Sequence, residues 1–80
     1  MINVSVLFFG ATAEAVGERQ MKIDLQQPTN AREAFTEIVE TFPQLKSHSL
    51  LYAVNQEYAG GDEAINDGDE LAIFTAVSGG

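Results

Sequence analysis

Apolar and polar residues alternate in several short stretches of the chain, which is the pattern of a β-strand with one buried face. The pattern predicts four strands, and a turn at Asn55-Gln56 predicts a short additional one. Asp67-Gly68 is a turn signal before the last strand. The apolar positions of the strands are, in chain order, Ile2, Val4, Val6 and Phe8, then Met21, Ile23 and Leu25, then the run LLYAV at residues 50–54, then Leu71 and Ile73.

One segment has helical periodicity instead. Its apolar residues recur at steps of three and four, which places them on a single face. Asn30 and Glu33 have the spacing of a reciprocal capping box at its start, and Pro43 ends it at Phe42. A shorter helical turn is predicted at residues 11–17, with Gly17 in the left-handed conformation that ends it. The apolar positions of the main helix are Ala31, Ala34, Phe35, Ile38, Val39 and Phe42.

A sheet with one amphipathic helix buries the apolar face of the helix against one face of the sheet. The sequence therefore predicts a single α+β domain over residues 1–80, with no internal repeat and no linker. The first and last strands both follow long connections and can lie side by side and parallel.

Composition narrows the classes of function. Twelve acidic residues against four basic ones give a net charge of −8, which is unsuited to binding nucleic acid. No stretch approaches a membrane span, and the N-terminus lacks the basic start of a signal peptide. We expect no nucleic-acid or membrane partner and a cytoplasmic location. The absence of cysteine excludes thiolate metal sites and a cysteine nucleophile.

Side chains with catalytic potential are scarce. His48 is the only histidine and sits in a polar connector, so no metal site is expected. The run NDGDE at residues 66–70 fits a hairpin turn better than a calcium loop. What remains is the α-carboxylate of Gly80, an oxygen nucleophile at neutral pH. The chain is therefore not expected to be an enzyme by itself.

The last strand continues almost into the C-terminus. We predict a flexible tail at residues 75–80 that ends in Val77, Ser78, Gly79 and Gly80. Fully extended, it would project roughly 20 Å, and glycine suits a tunnel little wider than the backbone. The alternative interpretation is that these residues are a disordered terminus without a function.

Strand parity predicts a docking surface. If Val6 and Phe8 face the helix, Leu7 and Phe9 point to the opposite face of the sheet, and Phe74 does so by the same argument from Ile73. Tyr58 can join them. Large apolar side chains on an uncovered sheet face indicate a site for a protein partner. The alternative is that a loop or the short helix covers some of them.

Four motifs together resemble one known family. They are VLFFG at residues 6–10, AVNQ at 53–56, DGDELAIF at 67–74 and VSGG at 77–80. In this order they are similar to the small subunits of molybdopterin synthase, the MoaD-type sulfur carriers of the ubiquitin-like β-grasp superfamily. The short helix after the first strand also resembles that family. The resemblance implies a mixed four- to five-stranded β-grasp sheet packed on one main helix.

The resemblance also implies a function. In the family, an adenylyltransferase related to ubiquitin-activating enzymes uses ATP and Mg to adenylate the terminal glycine, here Gly80, and the carboxylate becomes a thiocarboxylate. The tail then enters the large synthase subunit, in a heterotetramer, and donates sulfur to cyclic pyranopterin monophosphate during molybdenum cofactor biosynthesis. By the same resemblance, Val77, Ser78 and Gly79 lie within a tunnel of the partner. Phe74, Phe9 and Tyr58 fall at family docking positions, and the carrier itself binds no cofactor.

Some features depart from the family. Thr75 and Ala76 stand where the family often has two prolines, and Ala13 stands where an arginine is common. Three other functions stay open: a thiamine-pathway sulfur carrier, a ubiquitin-like modifier conjugated through Gly80, and an interaction domain with an inert tail.

Overall fold

The structure is a computed structural model, and it describes residues 1–75. It contains five strands and two α-helices, together with one 3₁₀ helix. Their bounds are β1 Ile2–Phe8, α1 Ala11–Val16, β2 Gln20–Leu25, α2 Ala31–Thr41, the 3₁₀ helix Pro43–Ser47, β3 Leu50–Val54, β4 Glu57–Tyr58 and β5 Glu70–Thr75.

The strands form one mixed sheet in the order β2-β1-β5-β3-β4. β1 and β5 pair in parallel, so the prediction that the first and last strands are neighbours is confirmed. β5 also pairs antiparallel with β3, which places it at the centre of the sheet. The β3–β4 hairpin turns at Asn55 and Gln56, which both have positive φ, as a tight hairpin turn with this twist requires.

The core lies between one sheet face and α2. Alternate residues of β1 are buried, from Ile2 to Phe8, and the rings of Phe8 and Phe42 meet edge to face with centroids 6.0 Å apart. Ala31, Ala34 and Ile38 bury the apolar stripe of α2 against the sheet face. The predicted α+β packing is therefore the observed one.

The start of α2 differs from the predicted capping box in one detail. The Asn30 side chain accepts a hydrogen bond from the Glu33 backbone N–H at 2.8 Å, as predicted. The Glu33 carboxylate, however, accepts from the Thr29 hydroxyl at 3.2 Å instead of closing the box. The hydroxyl one position earlier is the partner of that carboxylate.

The segment after α2 was predicted to be a polar connector, and this prediction was wrong. Proline at its first turn starts a 3₁₀ helix, and Leu45 within it is fully buried in the core. A single apolar residue in a polar run has no periodicity, so the sequence pattern gave no sign of this packing.

The prediction that Thr75 belongs to the tail was also wrong. Thr75 pairs with Leu50 as the last residue of β5. The strand therefore extends one residue further than predicted, and only residues 76–80 of the predicted tail stay a prediction. Those residues, with the predicted site residues Val77, Ser78, Gly79 and Gly80, lie outside the described part of the chain.

Candidate functional site

The sheet face opposite α2, which we call the open face, carries two rows of apolar side chains near the end of β5. Strand register defines both rows, because residues paired across neighbouring strands point to the same face. The first row crosses four strands and contains Leu7, Ala72, Ala53 and Tyr58. The second row contains Phe74 and Leu51, with Phe9 one position beyond the end of β1 at the same level.

The aromatic side chains of the open face are accessible to a partner. Tyr58 is 79% exposed and Phe9 is 51% exposed, whereas Phe74 is half-buried. The rings of Tyr58 and Phe74 meet edge to face with centroids 5.7 Å apart. The structure thus brings Tyr58 and Phe74 into direct contact, and it places Leu7 and Phe9 on the same face, as strand parity predicted.

Leu51 was not among the residues that the sequence predicted for the open face. This side chain is 41% exposed and pairs across the strands with Phe74, so it extends the second row onto β3. The signal was present in the run LLYAV, where Leu50, Tyr52 and Val54 share the core-facing parity and Leu51 does not. Two alanines, Ala53 and Ala72, occupy the middle of the first row.

The open face changes character away from the end of β5. The next row towards the start of that strand consists of Ser5 and Glu70, and Lys22 continues it on β2. Beyond it, Asn3 donates a side-chain hydrogen bond to Asp24 at 3.0 Å. The apolar part of this face is therefore confined to the end at which the chain leaves the sheet.

The chain leaves β5 at the centre of the sheet. Leu50 pairs with Thr75 on one side, and on the other side Phe9 donates its backbone N–H to the Ile73 carbonyl at 3.2 Å. β5 is thus held on both sides as far as Ile73 and on the β3 side as far as Thr75, directly beside the apolar rows.

The loop at residues 60–63 is held by hydrogen bonds from its backbone to a carboxylate. Glu63 accepts from the N–H groups of Gly60 and Gly61, each at 2.8 Å. These bonds hold the pKa of the Glu63 carboxyl below its ordinary value, with a smaller contribution from the Arg32 charge. Arg32 in turn forms an exposed ion pair with Asp62 at 3.1 Å. This arrangement docks the loop onto the start of α2 and is structural.

Side-chain chemistry is sparse within residues 1–75. Among them, no group of three His, Asp or Glu side chains is placed to hold a metal ion. No helix within this range is long and apolar enough to cross a membrane. What this part of the molecule offers is an exposed apolar surface beside the end of β5.

Similarity to known proteins identifies the family of this chain. The model of the ThiS family matches residues 6–80. The chain belongs to the ThiS family. The molybdopterin synthase sulfur carrier subunit of Mycobacterium tuberculosis is 35% identical over the full length of both chains. The protein of the same name from Caenorhabditis elegans is 36% identical, again over both full lengths.

Solved structures confirm the ubiquitin-like β-grasp fold for this ThiS-family chain. The small archaeal modifier protein 1 of Haloferax volcanii superimposes with a TM-score of 0.86 at 26% identity, covering 96% of this chain and 100% of the other. Subunit 1 of the molybdopterin-converting factor of Helicobacter pylori, solved in complex with subunit 2, has a TM-score of 0.71 at 23% identity, covering 99% and 100%. The family resemblance inferred from the four motifs is confirmed.

Proposed function

We propose that the chain is the sulfur carrier subunit of a molybdopterin synthase. The observation that carries this proposal is the full-length relationship, at 35% identity, to a protein with that name. The open face supports it, because the apolar rows of Leu7, Phe9, Leu51, Tyr58 and Phe74 form a surface on which a larger partner can dock.

The proposed chemistry takes place on Gly80. An adenylyltransferase partner binds ATP and Mg, and the Gly80 carboxylate attacks the α-phosphorus of ATP with loss of pyrophosphate. A sulfide equivalent then attacks the acyl carbon and displaces AMP, which leaves a thiocarboxylate. This chain supplies the carboxylate, and the partner supplies the nucleotide, the metal ion and the positioning, so the carrier is a non-catalytic subunit that binds no cofactor of its own.

The proposed second partner is the large subunit of the synthase. The two proteins would form a heterotetramer in which the open face docks and Val77, Ser78 and Gly79 pass through a narrow channel. There the thiocarboxylate donates its sulfur to cyclic pyranopterin monophosphate. The subunit pair of the Helicobacter pylori molybdopterin-converting factor supports this assembly by analogy of fold. The proposal locates these steps in the cytoplasm, where ATP is available.

Intact mass spectrometry tests the carboxylate chemistry. The chain is incubated with the activating enzyme, ATP and sulfide, and its mass should rise by the difference between one sulfur and one oxygen atom. A chain lacking Gly79 and Gly80 is the matched control: it should keep its melting temperature but gain no mass. An unchanged mass for the full chain would contradict the proposal.

A ubiquitin-like modifier is the second candidate function. The similarity at 26% identity to the small archaeal modifier protein 1 favours it. A thiamine-pathway carrier remains open within the ThiS family. Mass gain followed by pterin sulfuration with the large subunit supports the synthase, whereas conjugates of Gly80 on target lysines support the modifier.

A further inference from the structure

Thr12 is unusual among the buried residues. It is fully buried in α1, and within residues 1–75 it is the one polar side chain of the buried class. Burying a hydroxyl is costly unless it is hydrogen-bonded. A valine has nearly the same shape and would fill the space without that requirement, so the hydrogen bonds of the hydroxyl need an explanation.

The Thr12 hydroxyl makes three short contacts. It accepts a hydrogen bond from the Phe9 backbone N–H at 3.0 Å. Its own proton is shared between the Phe9 carbonyl at 2.7 Å and the Ile73 carbonyl at 2.9 Å. The Phe9 carbonyl also receives the Thr12 backbone N–H at 3.2 Å, and the Ile73 carbonyl also receives the Phe9 backbone N–H at 3.2 Å. The hydroxyl is therefore a second donor at both carbonyls, and it alone joins Thr12 to Ile73.

Capping α1 does not require that contact. The hydrogen bonds between Thr12 and Phe9 are local and start the helix. Ile73 is 61 positions away in the sequence, on the strand that leads to the C-terminus. The hydroxyl therefore joins the first turn of α1 to the last part of β5.

The hydrogen bond between the Thr12 hydroxyl and the Ile73 carbonyl lies where the pairing of β1 with β5 ends. β1 ends at Phe8, and the chain turns away through Gly10 at a positive φ of 57° to enter α1. The last backbone bond from this segment to β5 is the one from the Phe9 N–H to the Ile73 carbonyl, at 3.2 Å. The Thr12 hydroxyl adds a second, shorter bond to the same carbonyl, two residues before β5 ends at Thr75.

We propose that Thr12 is a positioning residue that fixes the direction in which the chain leaves β5 towards Gly80. The inference rests on the proposed function, in which Gly80 must reach the reaction site of a partner already docked on the open face. Five residues follow Thr75, roughly 16 Å when extended, so a small change of angle at Ile73 displaces the carboxylate by several ångströms. Such misplacement lowers the effective concentration of the reacting group.

Three variants separate positioning from stability. Thr12→Val keeps the shape and removes the hydroxyl, whereas Thr12→Ser keeps the hydroxyl and loses a methyl group. Both should lower the melting temperature. The valine leaves the Phe9 N–H and the Ile73 carbonyl with only their longer bond to each other, at 3.2 Å, and the serine creates a small void. Thr41→Val is the control, because the Thr41 hydroxyl bonds only within α2, to the Glu37 carbonyl at 2.9 Å.

Steady-state kinetics of thiocarboxylate formation with the activating enzyme give the first measurement. For Thr12→Val we expect kcat to fall about fivefold to tenfold, the effect of one lost orienting hydrogen bond, with KM within about twofold of wild type. Thr12→Ser should restore kcat despite its lower melting temperature. Equal kcat for Thr12→Val and wild type, or an equal loss of kcat in the valine and serine variants, would overturn the inference.

Nuclear magnetic resonance of the free chain gives the second measurement and needs no sulfur chemistry. In Thr12→Val, the amide of Phe9 should exchange faster, and the residual dipolar couplings of Phe74 and Thr75 should change. If a wild-type chain gains no sulfur, the proposed function fails, and the couplings still decide the role of Thr12. Couplings unchanged in Thr12→Val would refute it.

Discussion

Truncating Tyr58 to alanine should separate binding from folding. The side chain is 79% exposed on the short edge strand β4, so little buried area is lost. Its main contact is the edge-to-face pair with Phe74, worth about 1 kcal/mol. For a domain of this size, 1 kcal/mol lowers the melting temperature by about 4–8 °C. We therefore expect Tyr58→Ala to remain folded.

The effect on docking should be larger. Truncating an aromatic residue that anchors a protein interface typically costs about 2 kcal/mol or more of binding free energy, which is roughly a 30-fold rise in Kd. Isothermal titration of the large subunit with each variant measures the Kd, and circular dichroism measures the melting temperature. Glu57→Ala is the matched control, because Glu57 is the neighbouring residue of β4 and pairs with Val54 on the opposite face.

Two results would refute this reasoning. If Tyr58→Ala binds the large subunit within about threefold of wild type, the open face is not the docking surface. If it unfolds at room temperature, the edge contact with Phe74 is part of the core, and strand parity has been misassigned. A loss of affinity in Glu57→Ala as large as that in Tyr58→Ala would show that the effect is not specific to the open face.

Three further predictions concern stability. Leu45→Ala should lower the free energy of unfolding by about 2–5 kcal/mol in denaturant titrations, because Leu45 is fully buried. A loss below about 1 kcal/mol, as expected for an exposed residue, would contradict the place of Leu45 in the core. Gly61→Ala should cost about 1 kcal/mol or more, since Gly61 has a φ of 120° and an added Cβ would lie 2.6 Å from the Arg32 guanidinium; a neutral effect would mean that the loop rearranges. Glu63→Gln should weaken the dependence of stability on pH in acid, because folding lowers the pKa of the Glu63 carboxyl from about 4.5. The contribution of the ionised carboxylate to stability is complete above that pH and is lost as the pH falls through the folded-state pKa, so the stabilities of wild type and variant should converge in acid. A constant difference in stability across this pH range would contradict the role of the carboxylate.

The sequence predicted most of the fold, because the alternation in β1, β2 and β5 and the stripe on α2 each correspond to one buried face. Parity alone placed Leu7, Phe9 and Phe74 on the open face. The end of the last strand was predicted wrongly, because Thr75 has no apolar side chain to mark the end of the alternation. Its place in β5 is fixed by the backbone pairing with Leu50, which no local pattern encodes.

The contacts that the sequence did not predict are those made by single residues across the fold. Leu45 is an isolated apolar residue in a polar run, and its burial depends on how the chain turns after α2. Thr12 lies in a run of small residues, and its hydroxyl finds Ile73 only once β1 and β5 are paired. Neither residue has a local signal, because the partner in each case comes from a distant part of the chain.

The parallel pairing of β1 with β5 has a consequence for biosynthesis. A ribosome releases β1 first and β5 last, yet β5 is the strand that joins β1 to β3 at the middle of the sheet. A nascent or interrupted chain that stops short of residue 75 therefore leaves β1 and β3 with unpaired edges, which invite aggregation and proteolysis. Quality control by the cell would remove such fragments, and only polypeptides translated through β5 would persist as folded protein.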